Sequence, residues 1–137
     1  MRKILILALL LSIALPTILV ASVQAAETTY TISALSPISN RNVFYGGSVI
    51  DVKFQLLDSS GNKVTTATAT LWIDGDPAVG RGQFNTGNTF TLQQKTYVFK
   101  WDTSPITAGP GTPSHTLTIK VTIDATKLSQ DFPIALH

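Results

Sequence analysis

The sequence of 137 residues contains no cysteine, only two histidines and one methionine, and just 13% charged residues. Without cysteine there can be no disulfide, no thiol nucleophile, no cysteine-ligated zinc and no iron–sulfur cluster. His115 and His137 are too few for a three-histidine metal centre, and the sequence defines no Ser-His-Asp arrangement around them. We therefore expect no catalytic residues, no cofactor, and a fold that depends on core packing and hydrogen bonds.

The first 25 residues have the layout of a secretory signal peptide. Arg2 and Lys3 give a positively charged start, and residues 4–20 are almost entirely apolar. Residues 23–25 (Val-Gln-Ala) then supply the small or moderate apolar side chains of a cleavage site. Cleavage after Ala25 predicts a secreted or cell-surface protein.

An uncleaved membrane anchor is the alternative interpretation of this segment, because about 20 apolar residues can span a bilayer. Ser12, Pro16 and Thr17 interrupt the apolar run, so we favour cleavage. Residues 26–137 then form one domain with no membrane anchor of its own.

The formal charge of +2 disappears with the signal peptide. Removing Arg2 and Lys3 from the ten basic residues leaves eight, which equals the number of acidic residues. A neutral mature chain gives no reason to expect nucleic acid or an anionic membrane as a partner.

Alternation of apolar and polar side chains dominates the mature chain and predicts β-strands. In residues 49–57, Ile50, Val52, Phe54 and Leu56 alternate with polar side chains, and residues 117–123 repeat the pattern. No stretch has a helical period. Seven to nine short strands separated by turn residues predict an all-β, immunoglobulin-like antiparallel Greek-key sandwich. Further strands are expected near residues 29–35, 43–45, 66–73, 84, 89–92, 97–101 and 128–136.

Three local features refine this prediction. Tyr97, Phe99 and Trp101 share a phase that we expect to face the core. The loop at residues 103–114 is long enough to cross between sheets. Pro133 lacks a backbone N–H, which predicts that the last strand lies at an edge.

Residues 26–39 form a separate strand-like segment with two interpretations. Tyr30, Ile32 and Ala34 share one face, so the segment can be the first strand of its own sandwich. It can instead be donated to the sheet of a neighbouring subunit, which is strand-addition assembly.

Four motifs in order resemble the PxKF-type immunoglobulin-like domains of secreted prokaryotic proteins. The sequence G-S-V-I-D-V-K-F-Q-L at residues 47–56 resembles the opening strand of that family, although Asp51 replaces the family's proline. The resemblance covers roughly residues 40–137. It implies an immunoglobulin-like fold and an extracytoplasmic location, and it implies no catalytic residues. The other motifs are G-N-T-F at 87–90, Y-V-F-K-W-D-T at 97–103, and A-G at 108–109 followed by T-L-T-I at 116–119.

A candidate interaction surface lies on the strand predicted at residues 66–73. Trp72 shares a phase with Thr66, Thr68 and Thr70. If that face points outward, Trp72 is a large aromatic side chain on a hydroxyl-rich sheet, able to contact a protein or stack on a sugar. If the phase is shifted, Trp72 belongs to the core, because Ala67 and Ala69 suit either face.

Asp74, Asp76 and Asp102 are the weak candidates for a Ca²⁺ site, because loops at one end of a sandwich converge and Ca²⁺ prefers oxygen ligands. A polar turn at residues 74–77 explains the first two aspartates equally simply, and we favour the turn.

Three functions are therefore considered. The first is a non-catalytic, secreted or cell-surface module that binds a protein or itself. The second is a structural subunit of an extracellular filament or lattice, joined by the donated strand. The third is a carbohydrate-binding module that uses Trp72.

Overall fold

The computed structural model describes residues 28–82, 84–106 and 114–137. These residues form nine strands and no helix, and so none of them forms a helix that could cross a membrane. The predicted signal peptide and its anchor alternative lie outside the described residues. The strands are β1 (Thr31–Ala34), β2 (Val43–Phe44), β3 (Val49–Leu57), β4 (Thr68–Ile73), β5 (Asp76–Pro77), β6 (Thr91–Gln93), β7 (Thr96–Asp102), β8 (Ser114–Ile123) and β9 (Thr126–Leu136).

The strands pack as two sheets in the order β1-β3-β7-β6 and β2-β9-β8-β4-β5. All pairs are antiparallel except β2 with β9, which is parallel. The chain crosses between the sheets after β1, β2, β3, β5 and β7, in the Greek-key manner of the immunoglobulin fold, with four strands in one sheet and five in the other. The predicted fold class is confirmed, and the connection from β7 to β8 crosses between sheets as expected.

The core lies between the two sheets, where the buried side chains of β3 and β8 face each other. β3 has the predicted bounds, and its even-numbered residues are buried against Tyr97, Phe99 and Trp101 of β7 and the odd-numbered residues of β8. Phe54 stacks on Tyr97 with ring centroids 4.9 Å apart and meets Phe90 edge-on at 5.1 Å. Burial of each such side chain contributes about 1.5–3 kcal/mol, which allows the domain to fold without disulfides.

The Asp74–Gly75 turn ends β4 but does not end the sheet. Both residues have positive φ (51° and 86°), which is the geometry of a two-residue hairpin turn. The chain therefore reverses and Asp76–Pro77 pairs with Trp72 and Ile73 as β5.

The Gly-rich segment after β5 closes two strand edges without forming the short strand predicted near Phe84. The backbone of Val79 and Arg81 bonds to Asp102 and Lys100 of β7, at 2.8 and 2.9 Å. Asn88 and Phe90 bond in the same way to β4, through Leu71 and Ala69, which gives this irregular segment a sealing role.

Candidate interaction surface

The outward side of β4, β8 and β9 is a regular array of hydroxyl groups. Thr68, Thr70 and Trp72 on β4 lie opposite Thr122, Lys120 and Thr118 on β8, which in turn lie opposite Lys127, Ser129 and Asp131 on β9. The part of this array that remains when Lys127 and Asp131 at its border are left out is called the hydroxyl face. The alternation that buries the apolar residues of these strands therefore directs their polar residues to solvent. The hydroxyl face consists of Thr68, Thr70, Trp72, Thr118, Lys120, Thr122 and Ser129.

Trp72 is the large side chain of the hydroxyl face, which answers the question of phase that the sequence left open. Leu71 and Ile73 are buried, so Trp72 between them points outward and is half-buried. Its indole Nε1 donates a hydrogen bond to Thr70 Oγ1 at 2.9 Å. Lys120 Nζ lies 4.3 Å from the ring centroid, in a cation–π contact. The indole is therefore fixed in place at a solvent-facing position.

Thr66 does not belong to the predicted row of threonines. β4 begins at Thr68, and the exposed Thr66 precedes it. The backbone of Val64 and Ala67 is instead tied to the phenol of Tyr97, which donates to Val64 O at 3.0 Å and accepts from Ala67 N at 3.1 Å. The strand starts two residues later than predicted because these bonds hold the preceding segment outside the ladder.

The charged groups at the hydroxyl face are few and partly engaged. Asp131 accepts a hydrogen bond from Thr118 Oγ1 at 2.7 Å. Lys120 contacts Trp72, while Lys127 lies exposed near the start of β9. The surface between these groups is neutral and rich in hydroxyls.

The structure does not bring the three candidate Ca²⁺ ligands together. Asp74 is occupied at the β4–β5 turn, where Oδ2 lies 2.6 Å from His115 Nδ1 and Oδ1 accepts from Thr116 N at 2.8 Å. Asp102 lies on the other sheet, where it accepts from the backbone N and the hydroxyl of Ser104 at 3.0 and 2.7 Å. No cluster of three potential metal ligands occurs within residues 28–82, 84–106 and 114–137.

These contacts shift the pKa values of both carboxyl groups. Burial raises the pKa of Asp74, but the hydrogen bonds from His115 and Thr116 and the charge of His115 outweigh it and leave the pKa below its ordinary value. The hydrogen bonds from Ser104 lower the pKa of Asp102. Both aspartates therefore serve as acceptors that hold turns in place.

His115 is not presented to a substrate. Its Nδ1 faces Asp74, and its Nε2 is buried with no hydrogen-bond partner in the part of the chain that is described. The pair thus joins the β4–β5 turn to the start of β8. Sequence reasoning missed it because the two residues are 41 positions apart and become neighbours only through the β4–β8 register.

The proposed donated strand is paired within its own chain. β1 forms an antiparallel ladder with β3, in which Thr31 lies opposite Leu57 and Ala34 opposite Phe54. Ile32 is buried, and Tyr30 and Ala34 pack against the same core. In this single chain the side chains of the segment complete the core of the same molecule. Donation of the segment to a neighbouring subunit stays a prediction.

Tyr45 is a surface residue that the sequence pattern did not single out. Its side chain is 75% exposed, directly after the buried Phe44. It lines a shallow groove of about 440 Å³ with Arg41, Asp51 and Lys53. Its position in a short apolar run before two glycines predicted only a strand, so nothing in the sequence marked it as exposed.

No family model and no curated protein matches this sequence. Two solved structures are similar in shape. One, described as a chimeric titin Z1Z2 functionalized with a KLER exogenous peptide from decorin, is 11% identical with a TM-score of 0.45, over 80% of this chain and 93% of that chain. The other, a ZirS C-terminal domain, is 10% identical with a TM-score of 0.44, over 100% of this chain and 87% of that chain.

Proposed function

We propose that this chain is an exported, non-catalytic immunoglobulin-like domain that binds a protein partner through the hydroxyl face. The observation that carries the proposal is the fixed position of Trp72, which Thr70 and Lys120 hold on a solvent-facing sheet. Aromatic side chains that are already ordered make strong interface anchors, because binding does not have to restrict them further.

The surroundings of Trp72 suit a protein partner. Thr68 and Thr122 are exposed and lie opposite each other, four residues along the strands from Trp72 and Thr118, so their hydroxyls can donate or accept hydrogen bonds at the rim of an interface centred on the indole. Apart from Lys120, the side chains of the hydroxyl face are uncharged, so covering them costs less desolvation free energy than covering a cluster of charges. An aromatic anchor with a polar rim is the usual anatomy of a protein interface.

Export and membership of the PxKF-type family are parts of the same proposal. Residues 1–25 support export through their charge and apolar pattern. The motif order supports the family, and its residues have defined roles in the fold. Asn88, in the G-N-T-F motif, donates from its side chain to Leu71 O at 3.0 Å, and Thr103, in the Y-V-F-K-W-D-T motif, donates to Ser48 O at 2.7 Å.

The proposal includes no reaction. Within the described residues the one close histidine–carboxylate pair is His115 with Asp74, and the Nδ1 of this histidine is occupied while its Nε2 is buried. A general base must reach the proton that it removes, and neither nitrogen is directed at an accessible site.

Carbohydrate binding through Trp72 has less support than protein binding. Stacking on a sugar needs an open ring face, and Lys120 already covers one side of this indole. Sugar-dependent quenching of tryptophan fluorescence that disappears in Trp72→Phe would favour carbohydrate over the proposed protein partner.

Site-specific photo-crosslinking on the producing cells tests the proposal. A photoreactive side chain at Thr68 or Thr122 should capture a discrete partner, because both positions lie on the hydroxyl face, about 13 Å along the strands from Trp72. The matched control is Gln93, which is exposed on the outward side of the other sheet, opposite Thr96. The capture should disappear when Trp72→Ala is added. Equal capture from Gln93, or capture that survives Trp72→Ala, would contradict the proposal.

A further inference from the structure

The backbone of β9 has an open edge between Lys127 and Pro133. On one side β9 pairs with β8 along its whole length, from Ile123↔Thr126 to Ser114↔Ala135. On the other side β2 pairs with β9 only at Ala135 and Leu136. Within the described residues no backbone group bonds to this side of β9 between residues 127 and 133.

The direction of the open backbone groups follows from the bonds to β2. Ala135 N donates to Asn42 O at 2.8 Å, and His137 N donates to Phe44 O at 3.0 Å, so the odd-numbered residues of β9 face the β2 side. Every second residue of an extended strand faces the same side, and the β8–β9 register runs without a bulge. Lys127, Ser129 and Asp131 therefore direct both N–H and C=O to the open edge.

We propose that this edge pairs antiparallel with the same edge of a second copy of the chain, about a two-fold axis at Ser129. In that register Lys127 of each copy lies opposite Asp131 of the other, and Ser129 lies opposite itself. This goes beyond binding of a partner through the hydroxyl face, because it uses the strand edge and forms one continuous sheet across two molecules.

Charge and the position of proline select this register. The sequence from Lys127 to Asp131 is self-complementary when reversed, so the two-fold creates two opposite-charge pairs at once. Pro133 then lies opposite Ala125, in the hairpin turn beyond the ladder, where no N–H is needed. If the axis moves to Gln130, Pro133 lies opposite Lys127, and the missing N–H removes a hydrogen bond on each side of the axis.

Two partly exposed apolar side chains lie next to the open edge, and a second copy of the chain would bury them further. Leu128 and Phe132 belong to the inward phase of β9 and pack against the core, yet both remain half-buried. In the proposed register Leu128 lies beside Gln130 of the other copy. The added strand would reduce the exposure of both apolar side chains, which favours association.

Charge reversal and its exchange test the proposal on the purified chain, with the N-terminus defined by mass spectrometry. Sedimentation over a concentration series should show a monomer–dimer equilibrium. Lys127→Glu or Asp131→Lys alone should weaken the dimer by roughly tenfold or more, because two attractive pairs become repulsive. The combination K127E/D131K should restore it, because the pairs reform with their signs exchanged.

Engineered cysteines test the register independently, and the absence of native cysteine removes any background. Ser129→Cys should form an intermolecular disulfide on mild oxidation, since directly opposed residues have Cα atoms about 5.5 Å apart. Gln130→Cys, adjacent and equally exposed, should not, because its counterpart is displaced along the strand.

The results distinguish the absence of a dimer from a dimer that has a different register. A chain that is monomeric at every concentration, with Ser129→Cys unlinked, would overturn the proposal and leave Lys127 and Pro133 as residues that protect an edge. A dimer that survives both single reversals, or that cross-links through Gln130→Cys in place of Ser129→Cys, would overturn this register. Unchanged circular dichroism of the variants confirms that they are folded.

Discussion

Val79, Arg81 and Asn85 close the edge of β7, whereas no described residue closes the edge of β9 between Lys127 and Pro133. At β7 the side chain of Asn85 acts in place of a strand. Its Nδ2 donates to Val98 O at 3.3 Å, and its Oδ1 accepts from Lys100 N at 2.9 Å. At β9 no described backbone group bonds to the equivalent groups of Ser129 and Asp131.

The difference reflects what lies behind each edge. β7 carries Tyr97, Phe99 and Trp101, all buried, so unpaired backbone groups beside them would be costly. Along its open part β9 carries the half-buried Leu128 and Phe132, and the other residues from Lys127 to Pro133 are exposed. The closed edge therefore maintains the fold, and the open edge is free for association.

Of the substitutions considered, Asn85→Ala should lower the free energy of unfolding most, because it opens the closed edge of β7. The substitution leaves Val98 O and Lys100 N without their partner at a buried position, which costs about 3 kcal/mol of the free energy of unfolding. Chemical denaturation checks the value. Thr86→Ala, the exposed neighbour, is the control and should stay within about 0.5 kcal/mol. Equal stability of the two variants would show that Asn85 does not seal β7.

Gly80→Ala should weaken the same edge by about 2 kcal/mol through overpacking. An added Cβ would lie 2.9 Å from Asn85 Cβ and 3.2 Å from the ring of Phe99, closer than carbon atoms normally approach. The same denaturation series measures it. A neutral result would mean that residues 79–81 move away from β7 at little cost.

Low pH should reduce the free energy of unfolding through Asp74 in the β4–β5 turn, and not through Asn85 at the closed edge of β7. The pKa of Asp74 is lower in the folded chain, so its contribution is present above a pH of about 4 and is lost as the pH falls through the folded-state value. We expect less than about 1 kcal/mol, since the carboxylate is largely exposed.

Unfolding free energies between neutral and acid pH, measured for the wild type and Asp74→Asn, check this expectation. The variant should lose less stability below a pH of about 4 than the wild type, and Asp102 should account for part of the remaining slope. Asn85→Ala should keep the wild-type slope. Identical slopes for the wild type and Asp74→Asn would refute the role of Asp74.

Pro133→Ala should have the smallest effect, within about 0.5 kcal/mol of the wild type. The substitution restores an N–H at the open edge, where no backbone partner is needed, and the proposed dimer does not use this position. Denaturation and sedimentation together check it. A large change in stability would show that the edge beside Pro133 is more constrained than its open backbone indicates.

The sequence predicted the parts of the fold that regular alternation specifies. The bounds of β3 and the inward phase of Tyr97, Phe99 and Trp101 are confirmed. Period-two patterns suffice there because each strand has one buried face. The prediction that the last strand lies at an edge is wrong for β9 as a whole, because the short β2 pairs with its end at Ala135 and Leu136, although no described strand pairs with that side of β9 at Pro133.

The remaining features depend on contacts between distant residues. Nothing in the local pattern marks Asn85 as a substitute strand, because a polar residue among glycines is typical of a loop. Trp72 is fixed by Lys120, which is 48 positions away in the sequence and adjacent only through the β4–β8 register. The open edge of β9 cannot be read from the sequence, because it depends on how many residues of β2 pair with β9.

Amide hydrogen exchange, measured at low and high protein concentration, tests most directly whether one edge is closed and the other left open for pairing. The amides of Lys100 and Asp102 should exchange slowly at both concentrations, because they are bonded to Asn85 and Val79. Those of Lys127, Ser129 and Asp131 should exchange rapidly when the protein is dilute and slowly when it is concentrated. Slow exchange of these three amides in the dilute monomer, or rapid exchange at every concentration, would contradict the account.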